Sequence, residues 1–504
     1  MTRTGIVYRA LIVLWGSGLV ATVGLAQGTG DNVLFLVADD LGVDILECYG
    51  EGGEFPPTPN INLLRDAGVL FRHASSNPVC STTRATIQTG RYGFRTGIGA
   101  IVDELHEEGL RYSETIIPEM LDLNPSLGYT HAAIGKWHLT SDPQGGPDGP
   151  TLSGYSHYSG TLHNVDDYYA WPKTENGVTF NTDVYITTDN ANEAIEWIND
   201  QGETPWFMWL AFTAPHKPWQ RPPDELFTIE LSEEPTNWEY YKAMVEAMDA
   251  EMGRLFASIP ADVLERTNII FLGDNGTPKN VTQPPFDPDH AKTTLFEGGI
   301  NVPLIISGPQ VVSPGRESVV LVNTTDLFAT ALELMGVDVQ ATIPAGTTLD
   351  SVSVVPTLQD ESSDSRLFSY SEMFNLHIES NASHGKTARN HHFKLIRFTT
   401  HPEKFFDLVQ DPFETSNLLN QDLAPLAQQN YDELSLVIDA HTACEGDVVL
   451  DGTVDPLDSG FVLARYGCNV LWGDLDCVAA DVNGDQAVDP LDSGFVLARF
   501  GDCL

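Results

Sequence analysis

Asn32-Val33-Leu34-Phe35-Leu36-Val37-Ala38-Asp39-Asp40 is an apolar, β-favouring run that ends abruptly on two carboxylates. A strand with one wet face alternates apolar and polar residues. This one does not, so it is predicted to be buried on both faces of a mainly parallel sheet. The same grammar recurs three times. Residues 268–272 lead into Gly273-Asp274-Asn275-Gly276, residues 206–212 into Thr213-Ala214-Pro215-His216, and residues 131–134 into Gly135-Lys136-Trp137-His138. Helical stretches at 189–200 and 239–257 separate or follow these runs, and strands alternating with helices predict an α/β fold whose ligands sit at the carboxyl ends of the strands. Asp39, Asp40, Asp274 and Asn275 would then bring hard oxygen donors to one edge, a set that suits Ca²⁺ or Mg²⁺ and not a thiolate-preferring metal. Taken singly, each Asp fits a turn or helix cap equally well.

The second informative stretch is Cys80-Ser81-Thr82-Thr83-Arg84-Ala85-Thr86-Ile87-Gln88-Thr89-Gly90-Arg91. Asn77-Pro78 before it disfavours helix, and the run that follows can form about two helical turns. Cys80 is thereby predicted at a helix N-terminus, where unpaired N–H groups favour an anion, with Arg84 one turn along the same face. That arrangement suits an ester of sulfate or phosphate, against the plainer reading of a buried structural cysteine.

Residues 80–91 resemble the C-x-P-x-R…T-G-R signature of the formylglycine-dependent sulfatases, a family of the alkaline phosphatase superfamily. Thr82 stands where that family most often has Pro or Ala. Asp39-Asp40 resembles its D-D-x-G motif, and Asp274-Asn275-Gly276 its D-N-G. Gly135-Lys136-Trp137-His138-Leu139 is similar to its G-K-W-H-L, Pro215-His216-Lys217-Pro218 to its P-H-x-P, and Lys292 with Glu297-Gly298-Gly299 to its K-x-x-x-x-E-G-G. Thr140 departs, where Gly is usual. The resemblance runs from about residue 32 to 419 and implies an alkaline phosphatase-like mixed sheet flanked by helices, with a smaller C-terminal subdomain. It also implies roles. Cys80 is oxidised to an aldehyde by a formylglycine-generating enzyme, and Arg84 holds its hydrate. Asp39, Asp40, Asp274, Asn275 and the matured Cys80 bind Ca²⁺, with Mg²⁺ not excluded, and Lys136 and Lys292 supply positive charge. In the implied reaction one hydroxyl of the hydrate attacks sulfur, His216 protonates the leaving oxygen, and His138 takes the proton of the second hydroxyl so that sulfate is eliminated.

Residues 154–177 carry His157, His163, Asn164, Tyr168, Tyr169 and Trp171, a mixture of stacking faces and polar donors that would suit a sugar ring. Of these, His157, His163, Asn164 and Trp171 are the candidate substrate contacts, and a sulfated carbohydrate is the expected substrate. The motifs also fit a phosphonate or phosphodiester hydrolase of the same superfamily, or a non-catalytic surface-attached binding protein should Cys80 not mature.

The chain has 504 residues, 42% hydrophobic and 19% charged, enough for a large core and more than one domain. Its 71 Asp plus Glu outnumber 26 Lys plus Arg, for a net charge of -45, which excludes nucleic acid as a partner. Such a surface also repels a sulfated polymer, so an active site for one needs a local basic cluster. Arg3 and Arg9 precede an apolar run that ends in Gly24-Leu25-Ala26, so residues 1–26 read as a signal peptide of a secreted, extracellular or periplasmic, protein with no transmembrane anchor. Residues 27–345 are the expected catalytic core and 346–441 the C-terminal subdomain, closed by a helix over 423–440.

Residues 444–504 form a duplicated module, because the decapeptide at 456–465 recurs unchanged at 490–499. Asp481, Asn483, Asp485, Asp489 and Asp492 occupy positions 1, 3, 5, 9 and 12 of an EF-hand-type Ca²⁺ loop. The first copy keeps Asp447, Asp451, Asp455 and Asp458 but has Val449 at position 3, so weaker binding is expected. Cys444, Cys468, Cys477 and Cys503 predict two disulfides of open connectivity. Two Ca²⁺ loops, each followed by a helix, resemble a type I dockerin. The resemblance implies a small α-helical tail that docks on a cohesin or cell-surface scaffold.

Overall fold

The computed structural model describes residues 31–105, 109–359, 366–375, 383–441, 453–454 and 501–502. Strand β1 (Asn32–Ala38) sends Val33, Phe35 and Val37 into one core and Leu34, Leu36 and Ala38 into another. Apolar residues are required on both faces, which is why its sequence does not alternate.

The other strands of the main sheet are β2 (Gly68–Ser75), β3 (Thr130–Gly135), β4 (His157–Gly160), β5 (Trp171–Glu175), β6 (Val178–Thr182), β7 (Trp206–Ala211), β8 (Thr267–Gly273), β9 (Leu304–Ser307) and β10 (Arg316–Asn323). Their order is β10-β2-β9-β8-β1-β7-β3-β4-β5-β6. The run β8-β1-β7-β3-β4 is parallel throughout, while β9 opposes both its neighbours and β5-β6 forms an antiparallel edge. This is the expected mixed, mainly parallel sheet. Helices cover both faces: Cys80–Thr89 and Leu327–Leu334 on the first, Ile186–Gln201 and Asn237–Ser258 on the second. The longest of them starts at a capping box in which the Thr236 hydroxyl accepts from the Glu239 N–H and the Glu239 carboxylate accepts from the Thr236 N–H.

A smaller antiparallel sheet follows, β11 (Ser369–Met373), β12 (Gly385–Arg389), β13 (Phe393–Phe398) and β14 (Lys404–Asp407). The helix Pro425–Ala440 packs Leu434 and Ile438 onto its Leu395 and Phe405. Buried ion pairs tie this sheet to the main one, with Glu297 accepting from Arg389 at 2.5 Å and from Lys394 at 2.8 Å. Val354, Val355 and Leu358 belong to the first-face core, and the second sheet begins only at Ser369. Among the described residues no helix is long and apolar enough to cross a membrane.

The signal-peptide reading, the tail cysteines and both Ca²⁺ loops (Asp447, Asp451, Asp455, Asp458; Asp481, Asn483, Asp485, Asp489, Asp492) lie outside the described residues. Within the tail, Thr453–Val454 pairs antiparallel with Gly501–Asp502, which joins the chain before the first repeat copy to the chain after the second.

Candidate active site

The parallel register pairs Ala38 with Gly273, so the residues after β1 and β8 emerge side by side. Asp274 donates its N–H to the Ala38 carbonyl at 3.1 Å, and its Oδ1 accepts from the Asp40 N–H at 3.1 Å. Asp40 adopts φ 71°, a left-handed conformation that Asp tolerates better than most residues. Beyond β7 in the sheet, the turn after β3 is pinned by Lys136 N–H to Ala211 O (2.8 Å) and His138 N–H to Leu162 O (2.8 Å). Gly135 must be glycine there: φ is +89° and a Cβ would lie 2.0 Å from the Ala211 carbonyl oxygen. The turn carrying His216 is held by Tyr168, whose hydroxyl donates to Thr213 O (2.9 Å) and His216 O (2.6 Å).

Cys80 is the first residue of the helix Cys80–Thr89, after an extended Val79, and every residue of that helix is buried. The helix ends at Gly90 in the left-handed conformation. Arg84 is wholly buried. Its Nε and Nη2 donate to Asp274 Oδ2 at 3.0 and 2.8 Å, and its Nη1 donates to Lys136 O at 2.5 Å. Lys136 Nζ donates to Asp39 Oδ2 at 2.5 Å and to Asn164 Oδ1 at 2.7 Å, and lies 4.0 Å from Cys80 Sγ. Lys292 Nζ donates to Asp40 Oδ1, which also accepts from Asn275 Nδ2 at 2.8 Å. His138 Nδ1 is 3.2 Å from Cys80 Sγ, and His216 Nε2 is 3.8 Å from Asp40 Oδ2.

These groups fit a hard divalent cation. Asp39, Cys80 and Asp274 offer ligand atoms within 4.8 Å of one another, and Asp39, Asp40 and His216 form an overlapping triple. Asp39 Oδ1 and Asn275 Oδ1 are buried with no hydrogen-bond partner in the protein, which is costly unless something else meets them.

Burial raises the Cys80 thiol pKa, against the pull of Lys136. It would raise Asp39 too, but Lys136, His216, Arg84 and Lys292 outweigh it and hold that carboxyl below the usual range. Asp274 is pushed up to about 6 by burial and by the neighbouring Asp39. Burial, Lys136 and Arg84 hold His138 well below an ordinary histidine. Burial and Lys136 bring His216 down to about 4, with Asp40 opposing.

Of the residues read as sugar contacts, Asn164 lies on Lys136 and the His163 ring lies 6.1 Å from that of His138. Trp171 is a correction: it is 1% exposed inside the second-face core, with its indole N–H on Val184 O, and no sugar can stack on it. His157 is a second one, since it begins β4, at the opposite end of that strand from the site, and bonds Asn176. Tyr168 and Tyr241, whose hydroxyl donates to Asp40 O at 2.7 Å, support the site from below. No motif flags Tyr241, which lies in the second turn of the helix Asn237–Ser258 and reads as core.

Thr82 Oγ1 is buried without a partner. Thr82→Val, which exchanges that hydroxyl for a methyl group of the same shape, is expected to stabilise the protein by about 1 kcal/mol in denaturant titration. A loss of stability would show that the hydroxyl is satisfied.

The mixed, mainly parallel sheet flanked by helices, with a smaller antiparallel sheet after it, is the alkaline phosphatase-like fold of sulfatases. The sulfatase family profile matches residues 31–337, and that of the N-sulphoglucosamine sulphohydrolase C-terminal region matches 289–437. The chain belongs to the sulfatase family and is a sulfuric ester hydrolase. Human N-acetylgalactosamine-6-sulfatase is 28% identical over 67% of this chain and 68% of its own length. The N-acetylglucosamine-6-O-sulfatase of Bacteroides thetaiotaomicron is 23% identical over 77% and 83%. Among solved structures, the PsFucS1 sulfatase of Pseudoalteromonas sp. superposes with a TM-score of 0.67 at 23% identity, covering 82% of this chain and 90% of the other.

Proposed function

We propose that this protein is a secreted, Ca²⁺-dependent sulfatase of 6-O-sulfated N-acetylhexosamines, the sugars named in its human and Bacteroides relatives, with formylglycine made from Cys80 as its nucleophile. The observation that carries the reading is the position of Cys80. Its sulfur opens a buried helix, 3.2 Å from His138 Nδ1 and 4.0 Å from Lys136 Nζ, within the same cluster as Asp39 and Asp274.

Asp39, Asp40, Asp274 and Asn275 would hold the cation, which polarises oxygen and offsets charge on the sulfate. The hydrated aldehyde would supply an oxygen nucleophile and a second hydroxyl through which sulfate leaves. The remaining work falls to the chain's own side chains. Arg84 fixes Asp274 and the Lys136 carbonyl, while Lys136 and Lys292 present positive charge before the anionic ester arrives, so no reorganisation is needed during reaction. His138 is neutral at pH 7, because its pKa is depressed, and its Nδ1 can accept a proton at the Cys80 position. His216 donates Nδ1–H to Lys217 O at 2.5 Å, which leaves Nε2 facing the site. Asn164, on the solvent side of Lys136, contacts the sugar.

A donor held near pKa 4 has a sharp consequence. The fraction of His216 able to protonate a leaving oxygen falls as pH rises from about 4 towards 7. A sugar alkoxide needs that proton and an aryl oxide does not. With Ca²⁺ kept saturating at every pH, turnover of N-acetylglucosamine-6-sulfate is therefore expected to fall in kcat/KM by up to about tenfold per pH unit above the His216 pKa, while an aryl sulfate stays nearly flat. His216→Ala should cost the sugar ester at least about 100-fold and the aryl ester far less. Equal profiles for the two esters would remove His216 as the acid, and turnover of aryl phosphonate without either sulfate would remove the sulfatase reading.

The tail is read as a dockerin-like Ca²⁺ module that anchors the secreted enzyme to a cohesin or cell-surface scaffold, supported by its repeated decapeptide and EF-hand-type spacing. Export is read from residues 1–26, and a mature N-terminus at Gln27 would be found by mass spectrometry of secreted protein.

A further inference from the structure

Three of the segments that bring charge to the site are Asp39-Asp40 after β1, Asp274-Asn275 after β8, and the turn at Lys292. Sheet pairing and the Asp40 N–H bond to Asp274 Oδ1 hold the first two segments together at the strand ends, and the turns beyond them are tied separately. Thr277 touches all three segments. It lies two residues beyond Asn275, and its Oγ1 accepts from the Gly42 N–H at 3.0 Å and donates to Asp44 Oδ1 at 2.5 Å, both in the turn that follows Asp40. Its carbonyl accepts from the Lys292 N–H at 3.0 Å. Asp44 completes the clasp, because its Oδ2 accepts from the Gln283 N–H at 2.9 Å. The contact is closed to water, with Thr277 1% and Asp44 3% exposed. It is also tight: a Cβ on Gly42 would lie 2.7 Å from both Asp44 Oδ1 and Thr277 Oγ1. Neither residue reaches the cluster of donor oxygens itself.

We propose that Thr277, with Asp44, is a positioning residue that holds the two ligand-bearing strand ends and the Lys292 turn in the register needed to bind the cation. The inference rests on the cation reading above. A hydroxyl that accepts from one turn and donates within it fixes both distance and orientation, whereas an apolar side chain of the same size fixes neither. Loss of a group bonded directly to a metal ligand typically costs about 10–100-fold in affinity, and Thr277, one step further out, is expected at the lower end of that range.

The test is Ca²⁺ titration calorimetry of the full chain, with the active-site component identified as the one lost in Asp274→Ala. Thr277→Val is expected to raise the Kd of that component at least about tenfold, while Thr277→Ser, which keeps the hydroxyl, stays within about twofold of wild type. Melting in excess chelator separates a structural role from a positioning one. A lowered Tm in Thr277→Val with an unchanged Kd would overturn the proposal, as would failure of Ser to rescue. Should Thr277→Val not fold, Asp44→Asn carries the same expectation and the same refutation. A wild-type protein without the Asp274-dependent component would overturn the cation reading and this inference together.

Discussion

Cys80→Ala is expected to abolish sulfate-ester turnover, with kcat lowered by about 10⁴-fold or more, while the Tm stays close to that of the wild type. In the proposed mechanism the effect is large because the substitution removes the atom on which the nucleophile would be built. The fold should tolerate it. Cys80 sits in a fully buried helix held by its own backbone and by Arg84, and among the described residues the polar partners of its sulfur are His138 at 3.2 Å and Lys136 at 4.0 Å. Cys80→Ser should be as inactive unless a converting enzyme also oxidises serine, because an ordinary hydroxyl offers no second oxygen through which sulfate can leave. The mass of the tryptic peptide spanning residues 73–84 checks the premise. An aldehyde at Cys80 in active protein fits the mechanism, and full activity from an unmodified thiol, or from Cys80→Ala, would end it. Thr82 makes this measurement informative, since it stands within the segment that converting enzymes read.

The elements that could be read in advance were those whose sequence is set by local physics. β1, β7 and β8 are buried on both faces and are apolar apart from Asn32, Thr267 and Asn268 at their starts, so each of their ends was legible to within a residue. The helix at Cys80 was legible because Asn77-Pro78 stops any earlier start. The helix Ile186–Gln201 begins three residues sooner than expected, because its β-branched first turn, Ile186-Thr187-Thr188, has little intrinsic helix preference and is held by burial of Ile186 and Thr187. Motif order located the cations but not their partners. That Lys136 pairs with Asp39, Lys292 with Asp40 and Arg84 with Asp274 is a property of strand register between segments far apart in the chain. Trp171 shows the opposite failure: an aromatic residue in a polar loop looks like a stacking face until its burial is known. Thr277 and Asp44 were invisible for a related reason, since each acts on a turn contributed by a different strand.

Removing divalent cation is expected to lower kcat/KM by about 10³-fold or more and to lower the melting temperature of the catalytic core. The charge balance of the site gives the reason. Asp39, Asp40 and Asp274 are matched one for one by Lys136, Lys292 and Arg84, so the protein's own groups sum to no net charge where an anionic ester must bind. A bound divalent cation would make the site positive within a surface that is strongly negative, and Asp39 Oδ1 and Asn275 Oδ1, buried without a hydrogen-bond partner, are the oxygens available to hold it. Saturation at about a thousand times Kd would add about 4 kcal/mol of stability, all of which chelation takes away. The pH dependence has a definite sign. Asp274 is held near 6 in the cation-free protein, so it takes up a proton as pH falls through that value, and the protonated acid cannot ligate. Ca²⁺ affinity should accordingly weaken below pH 6 by up to about tenfold per unit, and protonation of His216 lower still acts in the same direction. Calorimetry of the full chain should resolve a second component, lost in Asp481→Ala and unaffected by Asp274→Ala, because the proposed tail loop is read from acidic residues at EF-hand spacing far along the sequence from the active-site motifs. Titration of the wild type that shows only the Asp274-dependent component would remove the tail's Ca²⁺ loops, and with them the dockerin reading. Activity that survives exhaustive chelation would remove the cation from the mechanism and leave Lys136, Lys292 and Arg84 to carry the sulfate charge alone.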